Sequence, residues 1–249
     1  MSPPRRSRST TAAPPSRRGK ADETFPPAPF EGFNAGAHAF FRDLADNQNK
    51  PWFDAHKAEY ERLVVEPLRS LVADVSQRMT KARVPIVGNP ATALFRINRD
   101  VRFAKEKKPY KTHAGAVLSR DGKKTTPGFI YIHFDPRRSF LAAGFFRIEP
   151  PVLQKLRQGL MRDPAGWTKV ERALVKAGLK LASDEPLVRL PKGFETAPAA
   201  IAETLKLKSW IVRRELTAAR LGTPALVDDV VTFAEDALPL LDFGWRALV

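Results

Sequence analysis

The chain has no cysteine among its 249 residues, which excludes disulfides, thiolate metal sites and thiol nucleophiles at the outset. Histidine is scarce too. The four present, His38, His56, His113 and His133, show no HxH or HExxH spacing, so the sequence predicts no metal centre. No apolar run approaches the roughly 20 residues of a membrane span, so no integral membrane association is expected. The basic N-terminus has no apolar segment behind it, which argues against a secretory signal. Pro3, Pro4, Pro14 and Pro15 oppose an amphipathic transit helix, and a cytoplasmic location is the expectation. GxGxxG, GxSxG and kinase signatures are missing. Gly122-Lys123-Lys124-Thr125 lacks the first glycine of a phosphate loop and reads better as a hairpin turn.

Acidic residues are in short supply: 42 Lys and Arg face 27 Asp and Glu, a net charge of +15. The first 20 residues hold six bases (Arg5, Arg6, Arg8, Arg17, Arg18, Lys20) and no acid, leaving 36 bases against 27 acids, or +9, beyond them. Residues 1–29, rich in proline, arginine and serine, read as a disordered tail, and residues 30–249 as a single domain. A basic domain attracts polyanions, but charge alone does not choose among them.

The densest cationic stretch is Arg96 to Thr112, with Arg96, Arg99, Arg102, Lys105, Lys107, Lys108 and Lys111 against only Asp100 and Glu106. Phe103, Pro109 and Tyr110 interrupt the charge, unlike a solvated low-complexity run. Guanidinium groups fixed beside an aromatic ring suit phosphate or carboxylate recognition. Asp100, next to Arg99, is placed to orient a neighbouring arginine, and Lys107 and Lys111 add attraction. Tyr110 follows Pro109 and is a candidate to pack or hydrogen-bond against a ligand; otherwise it caps the core. If the segment is helical the arginines share one face; if extended, Arg99 opposes Arg96 and Arg102. A structural ion-pair network with no ligand is the competing reading. His113, just beyond the stretch, is the better acid/base candidate, whereas His133 alternates with Tyr131 and Phe129 like a core residue.

The coarse pattern is α+β. Asn34 and Asn49-Lys50-Pro51 are helix starts, and Tyr60 to Met79 recurs at helical spacing, with Pro67 expected to kink or divide it. Strands are expected at Ala91–Asn98, Ala114–Ser119, Gly128–Phe134 and Ser139–Phe146, a central antiparallel meander of about four strands. Asp121-Gly122 and Asp135-Pro136 mark turns. Helices follow from Pro150, near Trp167–Ala177, over Pro198–Arg220 and over Pro224–Leu240.

Arg96-x-x-Arg99-Asp100-x-Arg102-Phe103, followed by Lys107-x-x-Tyr110, resembles the defining motif of the bacterial and fungal DUF2461 family. Asn49-Lys50-Pro51-Trp52-Phe53, Pro109-Tyr110-Lys111-Thr112, Gly144 with Pro150, and Leu190-Pro191-Lys192-Gly193-Phe194 extend the resemblance from about Phe30 to the C-terminus. Glu106 departs from it, standing where the family usually has Asp or Asn. The resemblance implies no activity and no cofactor, but points to the arginine motif as the site. The leading expectation is therefore a protein that binds an anionic small molecule or nucleic acid through Arg96, Arg99, Asp100, Arg102, Lys107, Tyr110 and Lys111. An enzyme using Asp100, His113 or Tyr110 in proton transfer comes second. A structural motif beside a protein-interaction surface comes third.

Overall fold

A computed structural model of the chain describes residues 27–102, 106–184 and 186–249. The expected disordered tail lies outside the described residues as far as residue 26. Asn34 caps α1 (Ala35–Asp46), its side chain accepting from the Gly36 N–H. Asn49 caps α2 (Lys50–Ala55), accepting from the Trp52 N–H, with Pro51 in the first turn. Each such cap contributes about 1 kcal/mol.

Helices α3 (Lys57–Tyr60) and α4 (Glu66–Lys81) are joined by a π-turn at Glu61–Val65. The effect expected of Pro67 takes this milder form. A proline has no N–H for the carbonyl four residues back. The hydrogen-bond register shifts just before it, Glu66 N–H reaching the Glu61 carbonyl. The π-turn also buries three consecutive residues, Leu63, Val64 and Val65.

The sheet is a four-stranded antiparallel meander in the order β1 (Ala114–Ser119), β2 (Phe129–Phe134), β3 (Ser139–Phe145), β4 (Trp210–Leu216). One strand differs from expectation. Ala91–Asn98 is no regular strand; with Val87 it makes isolated bridges along β1 and to Tyr110. The turn at Asn89, whose carbonyl accepts from Thr92 and Ala93, draws this ribbon off a ladder. The fourth strand comes from Pro198–Arg220, expected as helical throughout. Only Ala199–Lys206 (α7) and Ala218–Leu221 (α8) are helical there. Between them, the aromatic and β-branched Trp210-Ile211-Val212 meet the open edge of β3, and a packed ladder outweighs weak local preference.

The register sorts side chains onto two faces. Ala116, Leu118, Ile130, Ile132, Phe134, Leu141, Ala143, Phe145, Trp210 and Val212 form the inner face and are buried in the core. Helices α5 (Pro150–Arg162), α6 (Pro164–Lys176) and α9 (Leu226–Leu248) complete that core. Gly178, at φ +70°, ends the α6 region. Among the described residues no helix is long and apolar enough to cross a membrane.

Candidate functional site

The outer sheet face is built by the alternate residues. Phe129, Tyr131 and His133 of β2 lie beside Gly115 and Val117 of β1, and Phe140 and Ala142 of β3 beside Ile211 and Arg213 of β4. This face carries a cavity of about 330 Å3, walled by Phe95 and Phe146. Both walls are large apolar side chains left in solvent, Phe95 at 40% and Phe146 at 46% exposure. The rings contact one another edge-on, with Phe95 6.0 Å and Phe140 6.2 Å from Tyr131. Cations sit above the walls: Lys111 Nζ is 5.7 Å and Lys124 Nζ 5.2 Å from the Phe95 centroid, and the Arg147 guanidinium is 5.2 Å from Phe146.

The arginine-rich stretch is extended where it is anchored. Arg99 N–H donates to the Pro109 carbonyl and Lys111 N–H to the Ile97 carbonyl, each at 2.8 Å, so 97–99 and 109–111 form an antiparallel clasp. Phe103 and Lys105 lie outside the described residues. Asp100 takes the Arg102 guanidinium in a two-oxygen grip, 3.0 Å from Nε and 2.6 Å from Nη2. That grip holds the Asp100 carboxyl below its ordinary range, first through the Arg102 side chain and then through its backbone N–H. Lys107 folds back onto the loop, donating to the Val101 carbonyl at 2.9 Å. Lys111 donates to the Arg96 carbonyl at 2.7 Å. Burial lowers the Lys111 pKa, with Arg96 and Lys124 acting in the same direction.

Below the clasp runs an open groove of about 920 Å3. Its charges are six cations, Arg42, Arg99, Lys108, Lys111, Arg137 and Arg147, against Asp100, Glu106 and Asp135. Of the residues singled out in the sequence, Arg99, Asp100, Tyr110, Lys111 and His113 line this groove. Arg96, Arg102 and Lys107 are outside its lining and exposed to solvent. Tyr110 is 5% exposed, stacked on Phe53 at 4.5 Å, and fixed through its N–H, which donates to Gln48 Oε1 at 3.1 Å. The groove and the aromatic cavity are continuous, since Lys111, His113 and Phe146 line both.

Arg42, Arg137, Arg147 and the aromatic face were not foreseen. Arg42 is on α1, Arg137 in the β2–β3 turn, and Arg147 just beyond β3. Only the folded chain brings them to one groove, so no local spacing could reveal them. Arg147 carries a signal visible only in the backbone, a φ of +47° in a non-glycine residue.

Two histidines meet at the junction. Their ring centroids are 4.6 Å apart, and His133 also stacks on Phe140 at 4.5 Å. Burial pushes His133 down to about 4, helped by His113 and opposed by Asp135. Burial likewise lowers His113, again against Asp135. Both imidazoles are therefore neutral at pH 7. The Tyr131 hydroxyl, whose pKa burial raises to about 12, lies 3.0 Å from His133 Nδ1.

Residues 36–243 match the model of a protein family described as a conserved hypothetical protein, DUF2461. No curated protein and no solved structure matches the chain.

Proposed function

The chain belongs to this DUF2461 family, and we propose, from the chain's own geometry, that it binds a ligand with an anionic group and a planar apolar part. The phosphate or carboxylate lies in the groove against Arg99, Lys111, Arg137 and Arg147. The planar part enters the aromatic cavity between Phe95, Tyr131 and Phe140. The observation that carries this reading is the continuity of the two cavities through Lys111, His113 and Phe146. A cationic groove alone would fit any anion, and an aromatic cavity alone any apolar ring. Joined, they fit a molecule carrying both, of which a nucleotide is the plainest chemical class. Asp100 supports the site by holding Arg102, while Arg96, Arg102 and Lys107 add charge around its rim.

Single-stranded nucleic acid is the second reading, favoured by the exposed Phe95 and Phe146 beside lysine and arginine, the components of a stacking platform. An enzyme on a small anionic substrate is the third, favoured by Asp100, Tyr110 and His113 lining one groove.

The test is a thermal-shift panel on the full chain with nucleotides, sugar phosphates, carboxylates, and short DNA and RNA oligomers at low and high salt. A ligand at 100 times its Kd stabilises the native state by about 2.7 kcal/mol, a readily measured rise in midpoint. A salt-tolerant rise with a nucleotide, lost in Arg99→Ala, supports the leading reading. A rise with oligomers alone that collapses in salt supports the second. No rise with any of them overturns both.

A further inference from the structure

The histidine junction has a third member that the sequence spacing hid. His113 precedes β1 and Asp135 follows β2, so the antiparallel register that sets Ala114 against Phe134 and Gly115 against His133 brings His113 and Asp135 together at the strand ends. One ligand atom from each of His113, His133 and Asp135 lies within 4.8 Å of the other two. We propose that these three residues form a binding site for a divalent first-row transition-metal ion.

Two imidazoles with one carboxylate is a ligand set that such ions favour, and it leaves coordination positions open. The surroundings suit the role. The Tyr131 hydroxyl at His133 Nδ1, 3.0 Å away, can accept that N–H and leave Nε2 with its lone pair for the ion. The Asp135 side chain is only 11% exposed, and its Oδ1 accepts from the Arg137 N–H at 2.8 Å, which fixes the carboxylate. An ion at about 2.1 Å from its ligands holds tetrahedral donors roughly 3.4 Å apart, so side-chain rotation of about an ångström closes the set.

Nearby charge is the main opposing effect. Arg138 is matched by Glu215, at 2.6 Å. Arg99 and Lys111 act on His113, and Arg137 lies 3.8 Å from Asp135, so three cations remain close. His113 and Asp135 both line the cationic groove, so an anion held there would offset those charges and reach the ion's open positions. The metal site does not depend on that anion for its ligands, and binding can be read without one.

The experiment uses the full, tag-free chain, stripped with a chelator and titrated with Co2+ in buffer free of phosphate and carboxylate. With no thiolate in the chain, visible Co2+ bands report nitrogen and oxygen ligation alone. The expected result is one equivalent bound, displaced by Zn2+. Affinity should fall tenfold or more in His113→Ala and Asp135→Asn, but not in His56→Ala, whose ring is tied to the Trp52 carbonyl. Tyr131→Phe should weaken binding by about tenfold, the range for an outer partner of a ligating histidine. If His133→Ala fails to fold, the His113 and Asp135 variants at the strand ends decide. Absence of Co2+ binding, or binding that survives both, overturns the site. A negative metal titration with a positive nucleotide shift would leave the anion reading standing, and the reverse would leave the metal.

Discussion

Tyr131 crosses β1 over Gly115, where an added Cβ would lie 2.7 Å from the ring carbon Cε2. The missing side chain lets the ring lie flat across the neighbouring strand and brings its hydroxyl to His133. Gly115→Ala should therefore displace the ring and destabilise the chain by about 1–3 kcal/mol, the usual cost of overpacking. Urea unfolding measures it. Tyr131→Ala in the same chain should recover part of the loss, because the clash then has no partner.

Arg99 and Arg102 are three residues apart and separate cleanly in space. Arg99 lines the groove, whereas Arg102 is gripped by Asp100 with its side chain 77% exposed. Arg99→Ala should weaken nucleotide or phosphate binding at least tenfold, and Arg102→Ala much less. Neither should move stability by more than about 0.5 kcal/mol, since neither side chain is buried. Parallel titrations and melts check both halves.

Much of the fold was legible because it rests on local signals. Asn34 and Asn49 cap the helices they were expected to cap, and Ala114–Ser119 is a strand with the expected ends. The fourth strand was hidden because Trp210–Leu216 acquires its identity from the edge of β3, more than sixty residues earlier in the chain. The arginine stretch was conspicuous as composition, yet sequence left a helical and an extended arrangement open. It is the extended one, held by the 97–99 and 109–111 clasp, that goes with Arg99 in the groove lining and Arg96 and Arg102 outside it. His113, His133 and Asp135 were invisible as a set for the same reason: strand pairing, not spacing, brings them together.

The turn between β1 and β2 makes a pH-dependent contribution. Asp121 accepts from Thr126 Oγ1 at 2.6 Å, Lys123 N–H at 3.0 Å and Ser119 Oγ at 3.1 Å. These bonds, the Thr126 hydroxyl foremost, lower its pKa from 3.8 to about 2. A carboxyl whose folded pKa is depressed adds stability above its unfolded value, and that stability is lost as pH falls through the folded one. Asp121→Ala should thus be less stable than the parent at neutral pH, and the difference should shrink between pH 4 and pH 2. Unfolding midpoints of the two proteins across that range decide it.

Tyr110 lies where the groove meets the core, and two substitutions divide its roles. The ring is stacked on Phe53 inside the core cluster, and Tyr110 also lines the groove. Tyr110→Ala removes the buried ring and should cost about 3–5 kcal/mol, as large aromatic truncations do. Tyr110→Phe keeps the stack and deletes only the hydroxyl, so stability should change by less than about 1 kcal/mol. The backbone N–H held by Gln48 is retained in both variants. Ligand affinity in the Phe variant then isolates the hydroxyl. A tenfold loss with unchanged unfolding would place that oxygen against the ligand. Unchanged affinity would assign Tyr110 to packing alone, leaving Arg99, Lys111, Arg137 and Arg147 to hold the anion.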